Sequence, residues 1–156
     1  MVLGYQSAVA VVVAATNKKL SNQKYKRAIF MENVSLLIVE DDKDVRESVA
    51  RVLQDDGYIV LEASDGGAGI EMIRQHSTDL SLVITDLNMR PVDGVEVVEM
   101  IGREANHLPV IAYSALMTEE VRQKLDRRVV RRTFGKPFDL KELRSAVKEL
   151  IRASGE

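Results

Sequence analysis

The sequence predicts an α/β fold in which one five-stranded parallel sheet is covered by helices on both faces. Short apolar segments alternate with amphipathic segments from about residue 34 to residue 152, which is typical of parallel strands joined by helices. Acidic, hydroxyl or basic residues follow four of the five apolar segments, as expected where strands end at a common edge. The length of 156 residues suits a single main domain.

Each predicted strand is a short run of apolar and β-branched residues, of the length typical of buried strands. In chain order, the predicted strands are residues 34–39, 58–61, 81–85, 109–113 and 129–134. Such continuous apolar runs indicate strands that are buried on both faces.

The predicted helices carry apolar residues spaced three or four apart. In chain order, they are residues 44–56, residues 68–76, a segment that begins at Gly94, residues 118–126 and a segment capped by Asp139. Gly57 is the expected end of the first helix, and Asp42 and Asp44 are expected near its positive N-terminal end. Because crossovers between parallel strands are right-handed, the five units wind into a three-layer α/β/α sandwich.

Residues 1–30 differ in composition from the rest of the chain. Their apolar run AVAVVVAA, residues 8–15, is too short to cross a bilayer. Lysines follow this run instead of preceding it, which argues against a signal peptide. We predict that residues 1–30 are an extension outside the core fold and that residues 31–156 form the domain.

The composition narrows the possible functions. The formal net charge of −2 gives no general attraction to nucleic acid or to an anionic membrane. The chain contains no cysteine, which excludes disulfides, thiolate nucleophiles and cysteine-based metal sites. We expect a cytoplasmic protein without a membrane partner.

Three carboxylates are predicted to meet at the carboxyl edge of the sheet. Glu40 and Asp41 follow the first strand, and Asp86 follows the third. Two like charges about 4 Å apart repel by roughly 4 kcal/mol at an effective dielectric of about 20, so the cluster must take up protons or bind a cation. Oxygen ligands without histidine or cysteine favour Mg²⁺.

Two further side chains are predicted at the same edge. Ser114 follows the fourth strand and offers a small hydroxyl donor, and Lys136 follows the fifth with a compact positive charge. A carboxylate nucleophile, Mg²⁺, a lysine and a hydroxyl are the parts needed to hold an acyl phosphate, and aspartate forms such intermediates.

The chain over residues 34–152 resembles the receiver domain of two-component response regulators. The matching motifs, in order, are LLIVEDD at residues 36–42, TDLNM at 85–89, VDG at 92–94, PVI at 109–111 with Ser114, and KPF at 136–138. The resemblance implies a flavodoxin-like (βα)5 fold and a phosphoacceptor signalling domain that is not an enzyme in the usual sense.

The resemblance also implies the metal ligands. Glu40 and Asp41 fall on the acidic pair of the family, with Asp41 a direct Mg²⁺ ligand beside Asp86. Asn88 falls on the position whose backbone carbonyl contacts the metal.

By the same resemblance, Asp86 accepts a phosphoryl group, Ser114 is the switch hydroxyl, and Lys136 falls on the position of the family's lysine. The resemblance also implies a cis bond between Lys136 and Pro137. The aromatic switch position falls on Thr133, which carries no ring, and its effect on signalling is left open.

The implied function is a single-domain response regulator of a phosphorelay, because the sequence ends near the last predicted helix. Its expected partners are a sensor histidine kinase or histidine phosphotransfer protein and a downstream protein, and we expect a monomer or weak dimer without a DNA-binding domain. A Mg²⁺-dependent phosphatase with an aspartate nucleophile and a pseudo-receiver that is never phosphorylated remain alternatives.

A basic stretch near the fifth strand is interpreted as a protein-docking surface more readily than a nucleic-acid contact. Its members are Arg122, Lys124, Arg127, Arg128, Arg131 and Arg132.

Overall fold

A computed structural model describes residues 34–155 of the chain. The predicted extension of residues 1–30 lies outside the described residues, and it stays a prediction.

The described residues form one five-stranded sheet. In chain order, its strands are β1 (Ser35–Val39), β2 (Ile59–Ala63), β3 (Leu80–Asp86), β4 (Val110–Ser114) and β5 (Val130–Gly135). Every neighbouring pair is parallel, and the spatial order is β2-β1-β3-β4-β5. The prediction of a doubly wound parallel α/β fold is therefore confirmed.

Five helices connect or follow these strands. They are α1 (Lys43–Asp55), α2 (Gly66–His76), α3 (Gly94–Glu104), α4 (Glu119–Lys124) and α5 (Leu140–Ser154). A polar side chain caps the start of each helix by accepting a backbone N–H bond. The capping residues are Asp42, Asp65, Asp93, Thr118 and Asp139. Within residues 34–155, no helix has the length and apolar composition needed to cross a membrane.

The helices cover both faces of the sheet, which explains why the central strands are apolar along their whole length. On β1, Leu37 and Val39 join a core cluster with the buried faces of α2 and α3. Leu36 and Ile38 alternate with them, are equally buried, and face the side of α1 and α5. Consecutive side chains of this strand therefore pack into the core on opposite faces of the sheet.

Several element boundaries differ from the predictions. Helix α2 begins at Gly66, because Asp65 accepts a hydrogen bond from the N–H of Ala68 and so acts as its cap. Strand β5 extends through Gly135, which the sequence placed in a loop. Asp86 and Ser114 are the last residues of β3 and β4, where the sequence placed them directly after the strands.

An ion cluster joins the end of α1 to α5. Asp56, the C-cap of α1, accepts a hydrogen bond of 2.8 Å from Nε of Arg144 and a second from its Nη2. Nζ of Lys148 lies 3.5 Å from Oδ1 of Asp56. The hydrogen bonds from Arg144 outweigh burial and, with the charge of Lys148, hold the pKa of Asp56 below its ordinary value.

Candidate functional site

The strand order creates a crevice at the carboxyl edge of the sheet. After β1, the chain moves to β2 on one side and then crosses back to β3 on the other. In open α/β sheets, ligands bind where the connections diverge in this way. Glu40 and Asp41 directly follow β1, and Asp86 ends β3, so all three lie at this divergence.

The three predicted carboxylates meet in this crevice. One carboxylate oxygen each from Glu40, Asp41 and Asp86 lies within 4.8 Å of the others. Glu40 is 0% exposed and Asp86 is 2% exposed, whereas Asp41 is exposed to solvent. Clustered carboxylate oxygens at an accessible surface are the donor set that a hard divalent cation such as Mg²⁺ prefers, so the residues present fit this ion.

Lys136 reaches the cluster from the end of β5. Its Nζ donates to Oδ2 of Asp86 at 2.9 Å and to Oε2 of Glu40 at 3.0 Å. Burial favours a lower pKa for Lys136, but the hydrogen bonds to the two carboxylates outweigh it and the pKa is raised. Lys136 is therefore charged at neutral pH. The Lys136–Pro137 bond is cis, as the resemblance implied, and the Arg90–Pro91 bond is cis as well.

Glu40 is held by three donors. The backbone N–H of Asp42 donates to its Oε1 at 2.9 Å, and the hydroxyl of Tyr113 donates to its Oε2 at 2.7 Å, where Lys136 also binds. Burial raises the pKa of Glu40, and these hydrogen bonds act against that effect. The backbone carbonyl of Glu40 accepts a 2.7 Å bond from Arg46, which fixes the turn into α1.

Tyr113 is a site residue that sequence reasoning missed. It is the next-to-last residue of β4 and is 0% exposed. Its ring centroid lies 5.1 Å from Nζ of Lys136 and 4.9 Å from the ring centroid of Phe138. Burial and the neighbouring carboxylate of Glu40 raise the pKa of its phenol strongly, so the hydroxyl keeps its proton. The available signal was its position inside a buried strand, since a buried tyrosine hydroxyl usually has a hydrogen-bond partner.

Asn88 links Asp86 to Ser114. Its backbone N–H donates to Oδ1 of Asp86 at 2.9 Å, while its side-chain oxygen accepts a hydrogen bond from the hydroxyl of Ser114. The hydroxyl oxygen of Ser114 accepts in turn from the N–H of Leu116 at 3.1 Å. The structure thus pairs Ser114 with Asn88 instead of Asp86. The contacts of Asn88 use its N–H and its amide oxygen, and metal binding by its carbonyl stays a prediction.

Gly94, at the start of α3, packs directly on the strand end that carries Asp86. A Cβ atom built on Gly94 would lie 2.0 Å from the carbonyl oxygen of Asp86 and 2.7 Å from Cα of Leu87. Its own N–H donates to the carbonyl of Leu87 at 3.2 Å. Because the contacted atoms are backbone atoms, the Val-Asp-Gly motif lets α3 approach β3 this closely.

Thr133 and Phe134 lie on opposite faces of β5. In the sheet register, Thr133 pairs with Ala112 and Phe134 pairs with Tyr113. Phe134 lies on the side of Phe138, with 6.3 Å between the ring centroids. Since side chains alternate along a strand, Phe134 does not supply a ring on the face of Thr133.

The basic stretch is largely neutralised by neighbouring carboxylates. The ion pairs are Arg122–Glu119 at 3.9 Å, Lys124–Glu120 at 3.0 Å, Arg128–Asp126 at 2.7 Å and Arg132–Glu149 at 2.7 Å. Arg127 and Arg131 line a cavity of about 330 Å³ on this surface, between α4 and β5. Its interpretation as a docking surface stays a prediction.

A groove of about 510 Å³ lies beside Lys136, between α1 and the loop that leads into α5. Its apolar lining comes from both elements: Val45, Val49, Pro137, Phe138 and Leu140. Polar side chains of Asp44, Ser48 and Lys136 complete the lining. The groove therefore has an apolar surface next to the charged crevice.

Comparison with known proteins agrees with this architecture. The family model described as the response regulator receiver domain matches residues 36–148. A crystal structure of a response regulator receiver domain protein from Clostridium thermocellum has a TM-score of 0.69 at 22% identity, covering 78% of this chain and 97% of that one. At that identity, the structural likeness shows a shared fold.

Curated relatives are similar over the same region. The response regulator MprA of Mycobacterium ulcerans (strain Agy99) is 33% identical over 126 residues, which are 77% of this chain and 51% of that protein. The transcriptional regulatory protein PrrA of Mycobacterium bovis (strain ATCC BAA-935 / AF2122/97) is 35% identical over 126 residues, with the same 77% and 51% coverage. The chain thus spans about half the length of these relatives.

Proposed function

The chain belongs to the family of response regulator receiver domains, and from this premise we propose that Asp86 accepts a phosphoryl group in a two-component phosphorelay. The donor is a histidine on a partner sensor kinase or phosphotransfer protein. The observation that supports this best is the surroundings of the Asp86 carboxylate, which lies 2.9 Å from Nζ of Lys136 and beside the oxygens of Glu40 and Asp41.

In the proposed step, a carboxylate oxygen of Asp86 attacks the phosphorus atom of the donor phosphohistidine. The new O–P bond forms an acyl phosphate as the N–P bond breaks, and the imidazole nitrogen leaves with the electron pair. The N–H of Asn88 holds Oδ1 of Asp86, so the carboxylate is oriented before the reaction. Lys136 supplies positive charge next to the incoming phosphoryl oxygens.

We propose that Glu40, Asp41 and Asp86 hold Mg²⁺, together with the backbone carbonyl of Asn88. When bound, this ion neutralises negative charge on the phosphoryl oxygens and helps to align the donor. Asp41 is the exposed member of the cluster, which supports its role as the ligand that the ion meets first from solvent.

The groove beside Lys136 is the proposed docking place of the donor protein. It combines an apolar lining from α1 and the α5 entry with the edge of the crevice. A partner helix with an apolar face could bury that face there while presenting its histidine to Asp86.

The proposed readout begins at Ser114. A phosphoryl group on Asp86 adds strong acceptor oxygens, and the Ser114 hydroxyl must leave Asn88 in order to donate to one of them. This exchange moves the end of β4 and the segment that follows it. The signal then passes to a downstream protein. The single-domain arrangement stays a prediction, because the curated relatives are about twice as long as their matched segments.

The test is incubation of the full chain with acetyl phosphate and Mg²⁺, followed by mass spectrometry of the intact protein and its peptides. We expect one phosphoryl group per chain on Asp86, no label on Asp86→Asn, and suppression of labelling by a chelator. The matched control is Asp93→Asn, which changes an aspartate that caps α3 and leaves the acidic cluster intact.

The alternatives give different outcomes in the same experiment. A phosphatase would release phosphate continuously from a small phosphomonoester, and a pseudo-receiver would carry no label. Label that persists in Asp86→Asn on another residue would contradict the assignment of Asp86.

A further inference from the structure

Tyr113 contacts three parts of the site at once. Its hydroxyl donates to Oε2 of Glu40 at 2.7 Å, and its ring lies under Nζ of Lys136 and against the ring of Phe138. It is also the residue directly before Ser114 on β4. A side chain in this place can therefore influence the orientation of the Glu40 carboxylate.

The three donors to Glu40 differ in rigidity. The N–H of Asp42 is fixed by the backbone, but it binds the other carboxylate oxygen, Oε1. Lys136 binds Oε2 from a flexible stem and divides its ammonium between Glu40 and Asp86. Tyr113 is fully buried and its ring is packed, so its hydroxyl is the rigid partner of Oε2.

These contacts use three of the roughly four lone-pair sites of a carboxylate. The lone-pair site that remains unoccupied by these three donors is on Oε1, the oxygen that Tyr113 does not bind. With Oε2 held by a rigid donor and Oε1 held by a backbone N–H, the plane of the Glu40 carboxylate is defined. Without the hydroxyl, that plane depends on Lys136, whose ammonium is also attracted to Asp86 and, in the proposed function, to the phosphoryl group.

We propose that Tyr113 is a positioning residue for the cation: its hydroxyl holds the Glu40 carboxylate in the orientation in which Glu40, Asp41 and Asp86 bind Mg²⁺ together. This inference rests on the proposed function for the identity of the cation. It places a determinant of metal affinity on β4, next to the predicted switch hydroxyl of Ser114.

The test is the Mg²⁺ affinity of full-length Tyr113→Phe, measured without any phosphodonor by calorimetric titration. The ring and its packing remain in this variant, and only the hydroxyl is lost. We expect the Mg²⁺ Kd to rise by roughly tenfold, the lower end of the effect typical when an outer partner of a metal ligand is removed. Tyr58→Phe is the matched control, because Tyr58 is the other tyrosine in the described residues and is also buried; its Kd should equal that of the parent.

A double-mutant cycle separates positioning of Glu40 from a general effect on packing. In a Glu40→Ala background, which leaves the Tyr113 hydroxyl no side-chain oxygen to hold, we expect Tyr113→Phe to change the Mg²⁺ Kd by less than about twofold, which is the scatter found between substitutions that do not interact. A parent-like Kd for Tyr113→Phe, or an equal loss in both backgrounds, would overturn the inference.

Phosphorylation is measured separately on the same proteins. A labelled Asp86 with an unchanged Kd in Tyr113→Phe would overturn this inference alone. A raised Kd in that variant with no label on the parent's Asp86 would overturn the proposed phosphotransfer and leave the positioning role standing.

Discussion

Gly94 has no room for a side chain, because a Cβ atom at this position would lie only 2.0 Å from the carbonyl oxygen of Asp86. We expect Gly94→Ala to lower the free energy of unfolding by about 2–3 kcal/mol, since relief requires the backbone at the end of β3 to move. Denaturant titration of the purified variant measures this loss.

Gly135→Ala is the matched control for that variant. Nothing lies within 4 Å of a Cβ atom built on Gly135, although it directly precedes Lys136. Equal stabilities for the two variants would show that the close approach of α3 to β3 is not required.

Individual site residues differed in how far they could be predicted. Glu40, Asp86 and Lys136 were found because charged residues at the ends of apolar strands fall on one edge of a parallel sheet. Tyr113 was missed because a tyrosine inside an apolar strand also reads as an ordinary core residue. Its hydrogen bond to Glu40 joins residues 73 positions apart, and only the folded sheet shows that pairing.

At the scale of elements, Asp56 ties the end of α1 to α5 through Arg144 and Lys148. We expect Asp56→Asn to cost about 1–2 kcal/mol at neutral pH, since a partly buried charge-assisted hydrogen bond is lost. Asp55→Asn, which changes the exposed neighbour on the same helix end, should cost clearly less. Denaturant titrations of the three proteins measure these differences.

The pH dependence of this effect has a defined sign. The folded pKa of Asp56 lies below the ordinary value of 3.8, so its stabilisation is fully present above that value and is lost as the pH falls through the folded pKa. The stability difference between parent and Asp56→Asn should therefore shrink at strongly acidic pH. A difference that grows on acidification would contradict the ion cluster.

Element type was predictable, whereas element ends and orientations were less so. The alternation of apolar runs and amphipathic segments identified every strand and helix within residues 34–155. The glycines at Gly66 and Gly135 suggested turns, but an N-cap at Asp65 and pairing of Gly135 with Ser114 extend regular structure across them. Local glycine preferences are weak compared with a cap or a strand partner.

For the whole molecule, Mg²⁺ should raise stability, because the three clustered carboxylates exist as a site only in the folded chain. At Mg²⁺ tenfold above its Kd, we expect the free energy of unfolding to rise by about 1.4 kcal/mol, which corresponds to a Tm increase of roughly 5 °C for a domain of this size. Thermal unfolding with and without a chelator measures the shift.

Ionic strength must be matched with sodium chloride in this experiment, since salt alone screens repulsion between carboxylates. Asp41→Asn should show a smaller increase in Tm than the parent. No increase in the parent would argue against cation binding in the crevice.

The carboxylates of the site and its lysine come from different halves of the folded domain's sequence. Glu40, Asp41 and Asp86 belong to β1, β3 and their ends, whereas Lys136 follows β5. Synthesis proceeds from the N-terminus, and β1, β2 and β3 are direct neighbours in the sheet. A growing chain on the ribosome therefore carries Asp86 before Lys136, the lysine that balances its charge. Under the proposed function, competence for phosphotransfer would arrive with the final strand, so the chemistry would wait until translation of the domain is nearly complete.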